Sequence, residues 1–356
     1  MNVPAVSYSI IYDGRDITKN ISQYIESVTY TDALEGQSDE VQIVLDDSTA
    51  IWQNAWYPNK GSILKVTIGV MNCGEFQIDE FVSSGGAGVA SLFTIKALAV
   101  GKNSPIRTEK SYIHENKTLK EVVTTFCEEY NYTLDGTIED IKFDRLNQNR
   151  VTSLGFIATL ASKFGHIFSV RNKKVTFTEQ IAFETERGVT YNLTKGDYDF
   201  WNFKDKTEGT FATAQVEYFD PTAGSYITGT CNSNSFPNFK NNFKSGNAEG
   251  QVVTGFFNPD SYKVYETVEN QGQADRLCKS ALYRNNSEFR TGTLGMKGNE
   301  KYIAGLIINV QGVGLFSGNY IIVSSSHKID KNSGYRTDLS LKHSNYSEVV
   351  STEENN

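Results

Sequence analysis

The hydrophobic period of this chain changes twice along its length, and those changes constrain the fold more than any single motif. Up to about residue 104, apolar side chains alternate with polar ones: Val41, Ile43 and Leu45, then Leu64, Val66 and Ile68, then Phe76 and Ile78, then Leu92 or Phe93 through Ile95 to Leu98. Successive residues of a strand face opposite sides, so a period of two describes half-buried strands. Turn signals at 59–61 (NKG), 72–74 (NCG) and 85–88 (GGAG) bound the runs. Short strands at close spacing, with no long helix between them, predict an antiparallel barrel or sandwich. The segment from Asp47 to Tyr57, holding Trp52 and Trp56, fits either one short helical turn or an irregular loop.

The period then becomes helical. From Thr118 to Tyr130, Leu119, Val122, Val123, Phe126 and Cys127 form one stripe, and Thr118 with Glu121 makes a capping box. A second helix is predicted from Ser153 to Gly165, with the glycine as its stop, followed by a hairpin that turns at Arg171, Asn172 and Lys173. Residues 105–185 therefore read as a small α/β or α+β module. Alternation returns from about 186, in Phe211 to Phe219 and Ser225 to Thr230. It is interrupted by a polar, Asn- and Gly-rich stretch at 232–262, expected to be an exposed insertion, and by a third helix from Asn270 to Arg284. Strands resume from 301 to about 343, and residues 346–356 read as a flexible tail.

Length and composition agree with a folded chain of two or three domains: 356 residues, 12% aromatic, 21% charged and only 6 Pro. A net charge of -8 disfavours nucleic acid or an anionic membrane as the main partner, since neutralising phosphates needs clustered Lys and Arg. The first fifteen residues lack the basic start of a secretory signal, and the most apolar stretch, Tyr302 to Phe316, is interrupted by Asn309 and Gln311 and is too short to span a bilayer. The expectation is a soluble protein made in the cytoplasm, with no membrane partner.

No constellation announces chemistry. Cys73, Cys127, Cys231 and Cys278 and the four histidines are too dispersed for a metal site, and no cofactor motif is present. The nearest approach to a relay is Ser325, Ser326, His327 and Asp330. On a strand His327 and Asp330 face opposite sides, so a structural histidine is expected. The doublets Glu128–Glu129 and Asp39–Glu40 are adjacent rather than opposed, which does not make a two-carboxylate site. The glycines at 298–305 and 312–320 sit between strands, as hairpin turns do, rather than between a strand and a helix as a phosphate cradle requires.

Three stretches taken together resemble the late control protein D family of phage tail proteins, the baseplate hubs of contractile tails and tail-like bacteriocins, similar to the hub part of the type VI secretion spike. They are VTSLGFIATLASKFGHIFSVRNKKVTF (151–177), the helix and following strand at 274–305, which ends on Gly305, and VGLFSGNYIIVSSSHKIDKNSGYRTDLSLKH (313–343). The last carries the family pattern through Gly318, Tyr320, His327, Gly334, Tyr335, Thr337 and Leu339. YDGRDIT, SDEVQIVLDD and GEFQIDE fit the family's N-terminal part more loosely.

The resemblance implies a mainly β protein with an α+β insertion. Two antiparallel, tail-tube-like β-barrels (1–104 and 186–345, the second interrupted at about 232–290) would flank the small module at 105–185. It further implies a homotrimer whose six barrels join a six-fold tail tube to a three-fold central spike, with tail tube protein, spike protein, other baseplate proteins and tape measure protein as partners. Assembly in the host cytoplasm would be followed by residence in the virion or tail-like particle, without catalysis. No fused spike or lysozyme domain is evident in the chain. A second reading is a tail-tip cell-wall hydrolase or carbohydrate-binding module, which would not need three apolar-striped helices.

Overall fold

The computed structural model describes residues 6–35, 38–100, 104–232, 236, 245–246, 252–253 and 260–344. The first hundred residues supply β1 (Tyr8–Tyr12), β2 (Arg15–Asp16), a one-turn helix α1 (Thr18–Ile21), β3 (Ile25–Ala33), β4 (Glu40–Asp46), β5 (Ile63–Ile68), β6 (Met71–Gly86) and β7 (Val89–Leu98). These strands pair antiparallel in the order β3-β4-β7-β6-β5-β1-β2. The inward phase of each long strand, including Ile10, Val28, Ile43, Val66, Phe76 and Phe93, enters one core. Ile10 and Val28 come from strands near opposite ends of this run yet share that core, so the sheet wraps around it. Each such buried side chain contributes about 1.5–3 kcal/mol relative to exposure.

Residues 72–74 do not form a turn. The chain reverses earlier, at Gly69 and Val70, and β6 begins at Met71, because Cys73 buries its side chain in the core. The 47–57 segment is irregular: the Asp47 carboxylate accepts from the Trp52 backbone N–H at 2.9 Å, and the Trp52 ring packs edge-on against Tyr24 and Trp56.

The next elements are β8 (Glu109–Thr118), α2 (Leu119–Glu129), β9 (Thr133–Asp135), β10 (Lys142–Thr152), α3 (Ser153–Phe164), β11 (His166–Arg171), β12 (Lys174–Glu179) and α4 (Gln180–Glu186). The capping box of α2 forms as predicted: Glu121 N–H donates to Thr118 Oγ1 at 3.2 Å, and Thr118 N–H donates to Glu121 Oε2 at 2.8 Å. Gly165 ends α3 in the left-handed region with φ of 69°. The β11–β12 hairpin turns on Asn172 and Lys173, both with positive φ, the two-residue geometry that matches strand twist. The strands β8 and β10 form a separate, largely exposed antiparallel ribbon.

The remaining elements are β13 (Tyr191–Leu193), β14 (Phe200–Asp205), β15 (Thr213–Asp220), β16 (Ser225–Asn232), β17 (Ser245–Gly246), β18 (Val252–Val253), β19 (Ser261–Val264), α5 (Gln271–Ser287), β20 (Arg290–Lys297), β21 (Ile307–Val310), β22 (Gly318–Asp330) and β23 (Gly334–His343). A second lobe is built on β14-β20-β23-β22, with β21 and β13 beside β22, around Leu193, Leu294, Ile308, Tyr320, Ile322 and Leu339. The strands β15, β16 and β19 leave that lobe. They form their own sheet and, with the Ala274, Leu277, Cys278 and Leu282 stripe of α5, share one core with α2 and α3. The third predicted helix is thus present but buttresses the module, because its apolar stripe matches that of α3.

The molecule is mainly antiparallel β with a helical module. The expected insertion at 232–262 lies mostly outside the described residues, and the tail at 346–356 entirely so. No described helix is long and apolar enough to cross a membrane.

Candidate functional site

The two lobes are one continuous sheet, joined where β22 pairs antiparallel with β3 over seven register positions, from Ser324 opposite Ala33 to Asp330 opposite Ser27. Three of the sequence-predicted motif residues meet at this seam. His327, on β22, is fully buried, and its Nε2 lies 3.0 Å from the Tyr302 carbonyl and 3.2 Å from Ser325 Oγ. A carbonyl only accepts, so Nε2 carries the proton and Nδ1 accepts from the Tyr335 hydroxyl at 2.9 Å. Thr337 Oγ1 lies 3.3 Å from the same Nδ1 and accepts from Asn299 N–H at 2.9 Å. Burial lowers the His327 pKa, which favours the neutral ring this network needs.

Glycine completes the arrangement. A Cβ on Gly298 would sit 2.0 Å from the Tyr335 ring, so only glycine lets that ring lie against the loop before β21. Gly298 N–H donates to the Tyr335 carbonyl at 2.8 Å.

Asp330 does not join His327. Its carboxylate accepts from the Asn332 and Ser333 backbone N–H groups, each at 3.0 Å, closing the β22–β23 turn in which Gly334 takes a φ of 77°. Those bonds hold Asp330 down at about 2. Ser325 and His327 touch in a buried seam while the carboxylate is engaged elsewhere, so the three do not form a relay.

The other motif residues serve the second lobe. Gly305, with a φ of 87°, donates its N–H to the Ile322 carbonyl at 2.8 Å, and a Cβ there would press on Leu34 and Phe183 at 3.2 and 3.3 Å. Gly318 begins β22 beside His343. Tyr320 is buried edge-on to His343, with ring centroids 5.3 Å apart, and its hydroxyl donates to the Phe316 carbonyl.

The strongest electrostatic feature of the seam carries no spacing signal in the sequence. Asp32 on β3 and Asp39 before β4 are both buried, and both pair with Arg171 from the tip of β11, Asp39 at 2.6 Å. Asp32 also accepts from Ala304 N–H at 2.9 Å, and Asp39 from Ala33 N–H at 3.1 Å. This one cluster ties the first lobe, the second lobe and the module together. Burial raises both carboxyl pKa values, and the Arg171 guanidinium opposes the rise. The only local clue was that Asp32 occupies the inward phase of Val28, Tyr30 and Asp32.

The outer edge of the sheet has a different character. The strand β14 pairs with β20 on one side and with no described strand on the other, and it exposes Phe200 (54%) and Trp201 (45%). Lys195 lies over the Trp201 ring at 5.6 Å. Unpaired edge strands with exposed aromatics are template surfaces for another chain. Between the β8–β10 ribbon and α2 and α3 lies a cleft of about 530 Å³, lined by Tyr112, His114, Phe126 and Phe156. Its Glu129 is held by Lys110 at 2.6 Å, so Glu128 and Glu129 do not act there as an opposed pair. Among the described residues no group of three or more His, Cys, Asp or Glu is placed to hold a metal ion.

No family model matches the chain. Two relatives are similar in sequence: the probable baseplate hub protein of Escherichia phage 186, 24% identical over 224 residues, and that of Escherichia phage P2, 26% identical over 220. These alignments take in 60% and 58% of the chain but 56% and 55% of the relatives, so the match spans about half the length of each hub protein. Solved structures match across nearly the whole fold. The 43 kDa tail protein of prophage MuSo2 from Shewanella oneidensis superposes with a TM-score of 0.71 at 13% identity, covering 97% of this chain and 100% of that one. A tail protein from Neisseria meningitidis MC58 gives 0.68 at 10% identity, with 96% and 98% covered. A type VI secretion component of E. coli, itself similar to the T4 tail proteins gp27 and gp5, gives 0.50 at 10% identity, with 91% and 75% covered.

The fold is therefore that of phage tail proteins, shared with a type VI secretion component. The two sequence relatives are both named probable baseplate hub proteins.

Proposed function

We propose that this chain is a structural baseplate hub of a phage tail or phage-tail-like contractile particle. The observation that carries this reading is the β22–β3 seam, which fuses two antiparallel lobes into one sheet and fills the junction with a buried histidine network and a buried ion cluster. Such a unit is built to hold geometry. In this reading the two lobes are tail-tube-like barrels with boundaries near 104 and 186, and three copies form a ring that adapts a six-fold tube to a three-fold spike. The exposed Phe200–Trp201 edge of β14 supplies one contact surface between copies, since a heterologous contact closes into a ring when its rotation permits. Tail tube and central spike proteins are the partners, with other baseplate proteins and tape measure protein around them. The location is the particle after assembly in the host cytoplasm, and no catalysis is required. Three copies at -8 each carry -24 in total, which such a ring must present on its channel or its outer wall.

Light scattering of the purified full chain, with and without a candidate spike protein, tests the reading. The expected result is a trimer, or a complex that forms with the spike. A strict monomer that ignores the spike, or turnover of peptidoglycan, would favour the hydrolase or glycan-binding alternative.

A further inference from the structure

The helix α5 approaches β16 more closely than side chains allow. A Cβ on Gly229 would meet the Ala274 carbonyl oxygen at 2.6 Å, so backbone rests on backbone at this crossing. One helical turn beyond Ala274 is Cys278, fully buried, whose thiol donates to the Gly229 carbonyl at 3.3 Å. Two residues beyond Gly229, on the same face of β16, is Cys231, opposite Ala214 and only partly buried. The Gly229 carbonyl that Cys278 bonds is thus two residues along the strand from Cys231, and the two thiols perturb each other electrostatically.

We infer that Cys231 and Cys278 are a disulfide-forming pair, reduced in a thiol-rich compartment and closed by a low-molecular-weight disulfide once the protein leaves it. Cys231 is the member a reagent can reach. Its sulfur attacks one sulfur of glutathione disulfide and its proton goes to the departing glutathione thiolate, leaving a mixed disulfide and one glutathione thiol. Cys278 then attacks the Cys231 sulfur of the mixed disulfide and expels the second glutathione with the remaining proton. The protein loses two protons and two electrons, and one glutathione disulfide becomes two glutathione thiols.

The interaction between the two thiols raises the Cys231 pKa and lowers that of Cys278, the direction that suits a resolving thiol. Cys73 and Cys127 are an internal control. Both are buried, so a disulfide reagent does not reach them in the folded protein. The bridge would staple α5 to β16 and close a loop containing the polar 232–262 stretch. The inference does not depend on the hub reading.

The test is to incubate the folded full-length chain with glutathione disulfide, alkylate the remaining thiols in denaturant, and measure intact mass and cross-linked peptides. The expected product has lost two hydrogens, carries alkyl groups on Cys73 and Cys127 only, yields a Cys231–Cys278 peptide, and melts at a higher temperature than the reduced form. Cys231→Ser, at the less buried position, should abolish both the cross-link and the melting shift. Four alkylated thiols, a glutathione left on Cys231, or an unchanged response in C231S would each overturn the inference.

Discussion

His327 stacks on Tyr30, its register partner across the ladder between the two lobes, with ring centroids 6.2 Å apart and planes inclined by 18°. Tyr30 in turn meets Phe76 edge-on at 5.9 Å, so the histidine network of the seam is continuous with the core of the first lobe. Tyr335→Phe removes the hydroxyl that donates to His327 Nδ1 and should cost about 1 kcal/mol. His327→Ala removes the stacked ring and leaves buried polar partners unmatched, and should cost about 3 kcal/mol. Urea unfolding of both variants at neutral pH measures the ratio, and equal losses would show that the ring itself contributes little.

Gly298→Ala tests the same seam from the loop side. The added methyl group would collide with the Tyr335 ring, which has to move off His327. Overpacking of this kind costs about 1–3 kcal/mol. In the Tyr335→Ala background the penalty should largely vanish, and a double-mutant cycle followed by urea unfolding reads that coupling directly.

Arg171→Met should reveal the charge balance of the Asp32–Asp39 cluster. A carboxyl group whose folded pKa is raised adds stability below its unfolded pKa, and that contribution is lost as pH climbs through the folded value. At neutral pH the two buried carboxyl groups therefore depend on one guanidinium. Removing it should cost about 3 kcal/mol, the lower end for a broken buried pair because about a third of the Arg171 side chain reaches water. The deficit should shrink toward about pH 4.5 as the carboxyl groups take up protons. A loss that stays constant between the two conditions would contradict this account.

His166 works in the opposite direction. Burial, reinforced by the nearby Arg276 charge, drives its pKa down to about 3, against the pull of its 3.0 Å hydrogen bond to the Phe164 carbonyl. The folded ring is neutral, so stability is full above its unfolded pKa near 6.5 and falls as pH drops below that value toward the folded one. Each pH unit in that window is worth up to about 1.4 kcal/mol. His166→Phe, which keeps a ring against Phe177, should therefore lose about 2 kcal/mol less than the parent between about pH 6.5 and about pH 5. Urea midpoints at the two values check this.

What the sequence made legible was local. The capping box of α2, the Gly165 stop of α3 and the Asn172–Lys173 turn each lie within a few residues of the structure they specify, and all three formed. The β8–β10 ribbon was missed because it carries little apolar alternation: Tyr112 and Ile113 are adjacent and both exposed. The helix α4 was missed because its N-terminal cap is Glu179, whose side chain accepts from Ala182 N–H, outside the usual Ser, Thr, Asp and Asn set. His327 could be recognised as structural from strand geometry alone. Arg171, expected only as a turn residue, could not be linked to Asp32 and Asp39, because no spacing rule connects a hairpin tip to carboxylates more than a hundred residues earlier.

The seven register pairs that join the lobes run along β22 and β3 side by side. A pull that drew one lobe past the other along those strands would load all the ladder hydrogen bonds in shear at once, whereas a peeling force would meet them one at a time. The junction thus behaves as a stiff plate rather than a hinge. Displacement applied at β14 is passed to β1 through a single pleated surface, with no slack at the midpoint to absorb it.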